Sequence, residues 1–167
     1  NSENIYQDLS ENYAAVETPT WSLLLAESCR SLNHEVKILD TLASKISDEQ
    51  AYNKILEFSP RLICFVVYGQ NVNAGTTNMS GAVRLGSYLK NKKISSPIIF
   101  VGSHVQALPS QTLKKESCID IVCTNEGVYS IRNLLKLSNF SSDKLKTING
   151  IFFRNKDKIV MNAPEKI

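Results

Sequence analysis

The sequence lacks several features that would assign a protein to a class at once. No apolar run approaches the roughly 18 residues of a membrane-spanning helix, and no signal peptide opens the chain. The charges nearly balance, with 19 Lys and Arg against 16 Asp and Glu, which argues against a nucleic-acid partner. We therefore expect a cytoplasmic protein that binds neither membranes nor nucleic acid.

Cysteine and histidine are also scarce. The chain has four Cys and two His, and no Cys pair has CxxC spacing. A single His at a strand end, without a carboxylate or Cys at ligand spacing, is a poor metal site, so we expect no metal ligand in this chain. All four Cys residues lie within apolar helix or strand patterns, which predicts buried free thiols: Cys29, Cys64, Cys118 and Cys123.

Motifs for nucleotide and hydrolytic chemistry are missing as well. No GxGxxG follows a strand, no P-loop occurs, and no Ser/His/Asp set can be assembled. The strand that ends at Tyr68 also lacks the Asp of a phosphorylatable receiver domain. Oxidoreductase, NTPase, hydrolase and receiver functions are therefore unsupported, and ligand binding is the function class that stays open.

The sequence does contain alternating helical and strand-like patterns. Unbroken apolar runs at residues 62–67 and 98–101 predict strands that helices cover on both faces. Apolar and polar residues alternate at residues 34–40 and 119–123, which predicts half-exposed strands at the sheet edges. Residues 150–161 predict a hairpin that turns at residues 155–157. Helices are predicted from Thr20, after the capping box Ser47/Gln50, after a cap at Thr76 or Thr77, from Pro109, and after Gly127.

This order of elements predicts an α/β domain that spans residues 1–167. A flavodoxin-like (Rossmann-like), mostly parallel sheet of order 2-1-3-4-5, with helices on both faces and a C-terminal β-hairpin, fits the pattern. That order requires a central strand before the first helix, but residues 1–19 contain no apolar run that could form it. We therefore expect the chain to be a fragment of a longer protein whose first strand lies upstream.

Small and polar residues follow the strand-like runs and form the candidate binding site. In an open α/β sheet, ligands bind at the carboxyl ends of the strands, where these residues would converge. The loop at residues 68–76 either binds an anionic or amide-rich ligand or is an ordinary connection between a strand and a helix. His104 could hydrogen-bond a ligand, coordinate a metal or cap a turn; Glu126 could bind a ligand or favour the next helix. The predicted site consists of Tyr68, Gly69, Gln70, Asn71, Gly102, Ser103, His104, Asn125, Glu126 and Gly127.

A series of short motifs along the chain resembles the N-terminal cobalamin-binding domain of B12-dependent radical SAM enzymes. The resemblance implies that the predicted site binds cobalamin. It also implies that a radical SAM barrel with a CxxxCxxC motif, a 4Fe-4S cluster and S-adenosylmethionine follows in the same polypeptide. The motifs are Tyr6-Gln7-x-Leu9, Glu17-Thr18-Pro19, Tyr68-Gly69-Gln70-Asn71, Gly102-Ser103-His104-Val105 with Leu108-Pro109, and Asn125-Glu126-Gly127.

The chain departs from the family pattern in two places. It has no DxHxxG element to supply an axial His, and the usual Gly-Gly after the fourth strand is Gly102-Ser103.

Two functions therefore compete. The first is a module that positions the corrin for methyl transfer or related radical chemistry in the barrel. The second is a degenerate docking or substrate-recognition module that binds no cobalamin, since a fold does not fix a function.

Overall fold

The structure is a computed structural model that describes residues 18–68, 72–156 and 158–165. None of the helices in these ranges is long and apolar enough to cross a bilayer. The elements are α1 (Thr20–Arg30), α2 (Asp48–Phe58), β1 (Ile63–Val66), α3 (Val72–Asn91), β2 (Ile98–Val101), α4 (Ser103–Ala107), α5 (Pro109–Lys115), β3 (Ile121–Cys123), α6 (Val128–Lys136), α7 (Ser142–Leu145), β4 (Ile151–Asn155) and β5 (Lys158–Met161).

The described strands form one sheet in the order β1-β2-β3-β4-β5. The β1–β2 and β2–β3 pairs are parallel, whereas β4 runs antiparallel to both β3 and β5. Every strand except β4 therefore runs in the same direction, and β1, β2, β3 and β5 all end at one edge of the sheet. The predicted α/β class, the mostly parallel sheet and the C-terminal hairpin are confirmed.

Helices cover both faces of this sheet. Alternate residues of β2 point to opposite faces, so Phe100 packs in one core cluster and Val101 in the other. The first cluster includes Leu89 of α3, and the second includes Leu25 of α1 and Leu134 of α6. All four residues of β2 are fully buried, as its unbroken apolar run predicts.

Three predicted strand positions differ from what the described residues show. Residues 34–40 are extended and their exposure alternates, but they do not join the sheet, because a strand needs a hydrogen-bonded neighbour and no described residue provides one. The first unbroken run was predicted to be interior with an upstream strand beside it; in the described part of the chain β1 pairs only with β2, and its other edge is open. On this incompletely covered edge strand, Cys64 is exposed rather than buried, whereas the other three Cys are buried.

The third difference is β3, which lies inside the sheet rather than at its edge, so its predicted edge position is wrong. The hairpin of β4 and β5 packs beside it, and Cys123 pairs with Ile151. The alternation of apolar residues predicted partial exposure, but all three residues of β3 are buried. A hairpin that follows later in the chain thus determines the burial of this strand.

The helix predictions hold apart from one boundary. The Ser47 hydroxyl accepts from the Gln50 N–H at 3.2 Å, and the Gln50 side chain accepts from the Ser47 N–H at 2.8 Å, so the capping box is confirmed. Helix α3 instead begins at Val72, and position 76 lies inside the helix. Contacts with α4 extend α3 by a turn, because tertiary packing outweighs the modest helix propensity of Thr.

Candidate cofactor site

The described residues of the three predicted loops lie at the same edge of the sheet. Val66 is aligned with Val101, and Phe100 with Val122, so the residues that follow β1, β2 and β3 lie at similar heights. This alignment brings together Tyr68, the segment Gly102–His104 and the segment Asn125–Gly127. Gly69, Gln70 and Asn71 lie outside the described residues. The assignment of these residues to a ligand remains a prediction.

Tyr68 presents an unusual hydroxyl at this edge. Its ring stacks on Trp21, with ring centroids 4.8 Å apart and planes inclined by 22°. Its hydroxyl is buried and has no hydrogen-bond partner in the part of the chain that the structure describes. Burial, reinforced by the nearby carboxylate of Glu126, raises the pKa of the phenol to about 12. Tyr68 is therefore a neutral group that is available to donate or accept a hydrogen bond.

Sequence reasoning missed Trp21 as a site residue. Its helical spacing with Leu24 and Leu25 indicated a core-facing position on α1. In the structure the indole is 41% exposed and lies at the first turn of the helix, over the end of β1. The position of Trp21 at the start of a helix was the one sequence signal that it lies near the edge of the sheet.

Gly102 is required by contacts inside the protein. A Cβ built at this position would overlap the carbonyl oxygen of Val67 and lie 2.7 Å from its carbonyl carbon. The backbone φ of +153° is also one that side chains disfavour. The main chain just after β1 therefore occupies the space beside Gly102.

Ser103 contributes a second unpartnered hydroxyl. Its Oγ is buried and has no hydrogen-bond partner among the described residues. A Cβ built on Gly75 would overlap this oxygen, so the glycine in α3 provides the space that Ser103 occupies. The pair of small residues brings α3 close to α4, directly above the end of β2.

His104 points toward helix α3. Its Nδ1 lies 3.2 Å from the hydroxyl of Thr76, and both residues line an open groove of about 490 Å³ between α3 and α5. The described residues contain no group of three His, Cys, Asp or Glu side chains that could hold a metal ion. Of the roles considered from the sequence, a hydrogen-bonding role fits this geometry best.

The third loop is held by its own side chain. Asn125 Oδ1 accepts from the Gly127 N–H at 2.9 Å, and Gly127 has a left-handed φ of +83° that favours glycine. Glu126, between them, is exposed at the edge of the sheet and close enough to Tyr68 to affect its pKa. Asn125 and Glu165 both lie close to Gly150, and sequence reasoning did not single out Glu165.

Comparisons with known proteins identify the family. The model of the B12 binding domain matches residues 6–135, so the chain belongs to the B12-binding domain family. It is 25% identical over 134 residues to PH0819, an uncharacterized methyltransferase of Pyrococcus horikoshii, and this match covers 80% of the chain and 28% of the relative.

Two solved structures share the fold. The first is the cobalamin-dependent S-adenosylmethionine radical enzyme OxsB with aqua-cobalamin bound, with a TM-score of 0.71 and 20% identity over 95% of this chain and 21% of OxsB. The second is apo, selenomethionine-labelled OxsB, with a TM-score of 0.63 and 19% identity over 88% of this chain and 20% of OxsB. The chain spans less than a third of the length of each relative.

The residues at the edge of the sheet fit the rim of a cobalamin. Cobalamin carries carboxamide side chains around the corrin ring, and each carboxamide both donates and accepts hydrogen bonds. Buried polar groups are nearly always hydrogen-bonded, so unpartnered ones suggest a missing ligand. Three such atoms lie at this edge: the Tyr68 hydroxyl, Ser103 Oγ and Glu165 Oε2.

Proposed function

We propose that the chain is the cobalamin-binding module of a B12-dependent radical SAM enzyme. One observation carries the proposal: in a member of the B12-binding domain family, buried hydroxyls of Tyr68 and Ser103 lie without partners at the ligand edge of the sheet. The module would position the corrin for methyl transfer or related radical chemistry in a catalytic domain of the same polypeptide.

The residues of this chain would bind and orient the cofactor. The neutral Tyr68 phenol and the Ser103 hydroxyl would form hydrogen bonds with carboxamides, and Asn125 and Glu126 would face the same rim. Gly69, Gln70 and Asn71 are proposed to complete the first loop. When bound, cobalamin supplies the cobalt chemistry, while the protein supplies position and shelter from water. No residue of this chain is assigned a catalytic role.

The direction of β5 supports a partner domain downstream. Because β5 runs parallel to β3, residues 162–165 reach the edge of the sheet where the corrin would lie. We propose that a radical SAM barrel with a 4Fe-4S cluster and S-adenosylmethionine follows there. The outer edge of β1 has no partner among the described strands, which supports the proposal that an upstream strand pairs with it.

A docking module that binds no cobalamin is the second candidate. Trp21 and Leu24 lie one turn apart on α1 and are 41% and 56% exposed. Exposed aromatic and aliphatic side chains at a site are also typical of protein interfaces. The same surface would then bind another protein domain rather than a corrin.

Reconstitution distinguishes the two functions. The full-length polypeptide, purified without cofactor, is mixed with hydroxocobalamin and desalted, and its visible spectrum is recorded. The proposed function predicts retained corrin absorption, and Tyr68→Phe should lower the affinity by about fivefold, the effect of losing one hydrogen bond of about 1 kcal/mol. Tyr129→Phe, which changes an exposed Tyr, is the matched control and should bind as the wild type does. A folded protein that elutes without corrin absorption would support the docking module.

A further inference from the structure

The segment that follows β5 is hydrogen-bonded to residues 145–151. The Gly150 N–H donates to the Ala163 carbonyl at 2.7 Å, and the Asn162 N–H donates to the Ile151 carbonyl at 3.2 Å. The Asn162 amide also donates to the carbonyls of Leu145 and Ile148, at 2.7 and 2.6 Å. These bonds extend the hairpin beyond Met161 as far as Ala163, two residues before Glu165.

Glu165 lies beside Asn125 in a space that a glycine leaves open. A Cβ built on Gly150 would lie 3.0 Å from the Glu165 Cβ and 3.3 Å from Asn125 Nδ2. It would also lie 2.6 Å from Ser130 Oγ, and the φ of +72° itself favours glycine. The absence of a side chain at position 150 therefore brings Glu165 next to the loop that ends β3.

Glu165 has one carboxylate oxygen that lacks a described partner. Its Oε2 is buried and has no hydrogen-bond partner among the described residues. A buried polar atom without a partner costs stability, and the oxygens of a carboxylate accept hydrogen bonds. The missing partner must therefore provide an N–H or O–H group. At this edge of the sheet, the N–H groups of a carboxamide would meet that need.

We propose that Glu165 determines which corrinoids the site accepts. The inference rests on the proposed function, and it adds a requirement for the side chains of the corrin. Glu165 Oε2 accepts a hydrogen bond from a carboxamide N–H of the corrinoid. A corrinoid in which that carboxamide is hydrolysed to a carboxylate places two negative charges together, which weakens binding.

The test compares hydroxocobalamin with its separated monocarboxylic acid derivatives. The dissociation constant of each is measured for the full-length wild type, Glu165→Gln and Glu57→Gln. Glu57 is an exposed residue of α2 and serves as the matched control. We expect at least one derivative to bind the wild type about tenfold or more weakly than hydroxocobalamin, and Glu165→Gln to remove most of this difference. Glu57→Gln should discriminate as the wild type does.

Thermal unfolding without corrinoid separates ligand recognition from a structural role. Because Glu165→Gln removes a partly unpaired buried charge, its Tm should equal or exceed that of the wild type. A lower Tm with discrimination unchanged would assign Glu165 a purely structural role and overturn the inference. If the wild type binds all the corrinoids equally, only this inference fails. If the wild type binds none of them, the proposed function fails as well.

Discussion

The indole of Trp21 stacks on the phenol of Tyr68, with 4.8 Å between the ring centroids. This contact joins the first turn of α1 to the end of β1. Farther along the same helix, Arg132 of α6 donates to the Ser28 carbonyl and the Ser31 hydroxyl, both at 2.9 Å. Helix α1 is therefore fixed at both ends, and its one Trp reports on the candidate site.

Trp21 emission should fall when cobalamin binds. Trp21 is the only Trp in residues 1–167, and corrin absorption in the near ultraviolet overlaps indole emission, so a corrin nearby accepts its energy. Titration of the full-length protein with hydroxocobalamin is compared with the same titration of Trp21→Phe, which keeps an aromatic ring. The difference between the two curves isolates Trp21. If cobalamin binds but the wild type and Trp21→Phe lose the same amount of emission, the cofactor lies away from Trp21.

Tyr68 should make stability depend on pH in the alkaline range. Its pKa is raised to about 12 in the folded protein, against an ordinary value of 10.0. Between about pH 10 and 12 the phenol ionises in the unfolded chain but not in the folded one, so the free energy of unfolding falls as pH rises. Below about pH 10 the contribution is intact.

Urea unfolding of wild type and Tyr68→Phe measures this contribution. The difference in the free energy of unfolding between the two proteins should be constant below about pH 10 and should change between about pH 10 and 12. The exposed Tyr129 gives a control in Tyr129→Phe. A difference that stays flat over the whole range would show that the Tyr68 phenol is not buried as described.

Gly102→Ala should destabilise the fold itself. The new Cβ would overlap the Val67 carbonyl, which is main chain and cannot rotate away, so we expect a loss of at least about 2 kcal/mol. Gly81→Ala is the matched control, because a Cβ there meets nothing within 4 Å and position 81 lies within α3. That change should stabilise the protein by about 0.5–1 kcal/mol. Equal thermal stabilities for the two variants would contradict the packing of β1 against Gly102.

His104→Ala should leave the cobalt absorption bands in place. His104 hydrogen-bonds Thr76 in the groove between α3 and α5, so His104→Ala should lower the free energy of unfolding by about 1 kcal/mol. We expect that this change does not remove a cobalt ligand. His104→Gln, which keeps a hydrogen-bonding side chain, is the control. Bands that move in the alanine variant, as they do when an axial nitrogen is lost, would assign His104 to the metal.

Local patterns in the sequence predicted the helices and the buried strands well. The capping box at Ser47 and the unbroken run of β2 depend on neighbouring residues, and both are found. The positions of β1 and β3 in the sheet depend on distant partners. The sequence around β3 contained no sign that the hairpin at Ile151 would cover it. Edge and interior positions are therefore harder to predict than the strands themselves.

The candidate site was predicted in part for the same reason. Tyr68 and Ser103 follow strands directly, so the rule for open α/β sheets placed them at the carboxyl ends of the strands, where the structure has them. Trp21 and Glu165 reach that edge through the packing of α1 and the path of the chain after β5. Neither path can be derived from the spacing of residues near the strands.

The nitrogen ligation of cobalt in the loaded protein tests the central claim most directly. The full-length protein is labelled with heavy nitrogen, loaded with unlabelled cobalamin, reduced to the cobalt(II) form and desalted, and its electron paramagnetic resonance spectrum is recorded. His104 hydrogen-bonds Thr76, and we propose that no His in residues 1–167 ligates cobalt, so we predict a protein-bound cobalt signal whose splitting shows no labelled nitrogen. A splitting from labelled nitrogen, or the absence of any cobalt signal from folded protein, would contradict a corrin held by the loops after Tyr68, Gly102 and Asn125.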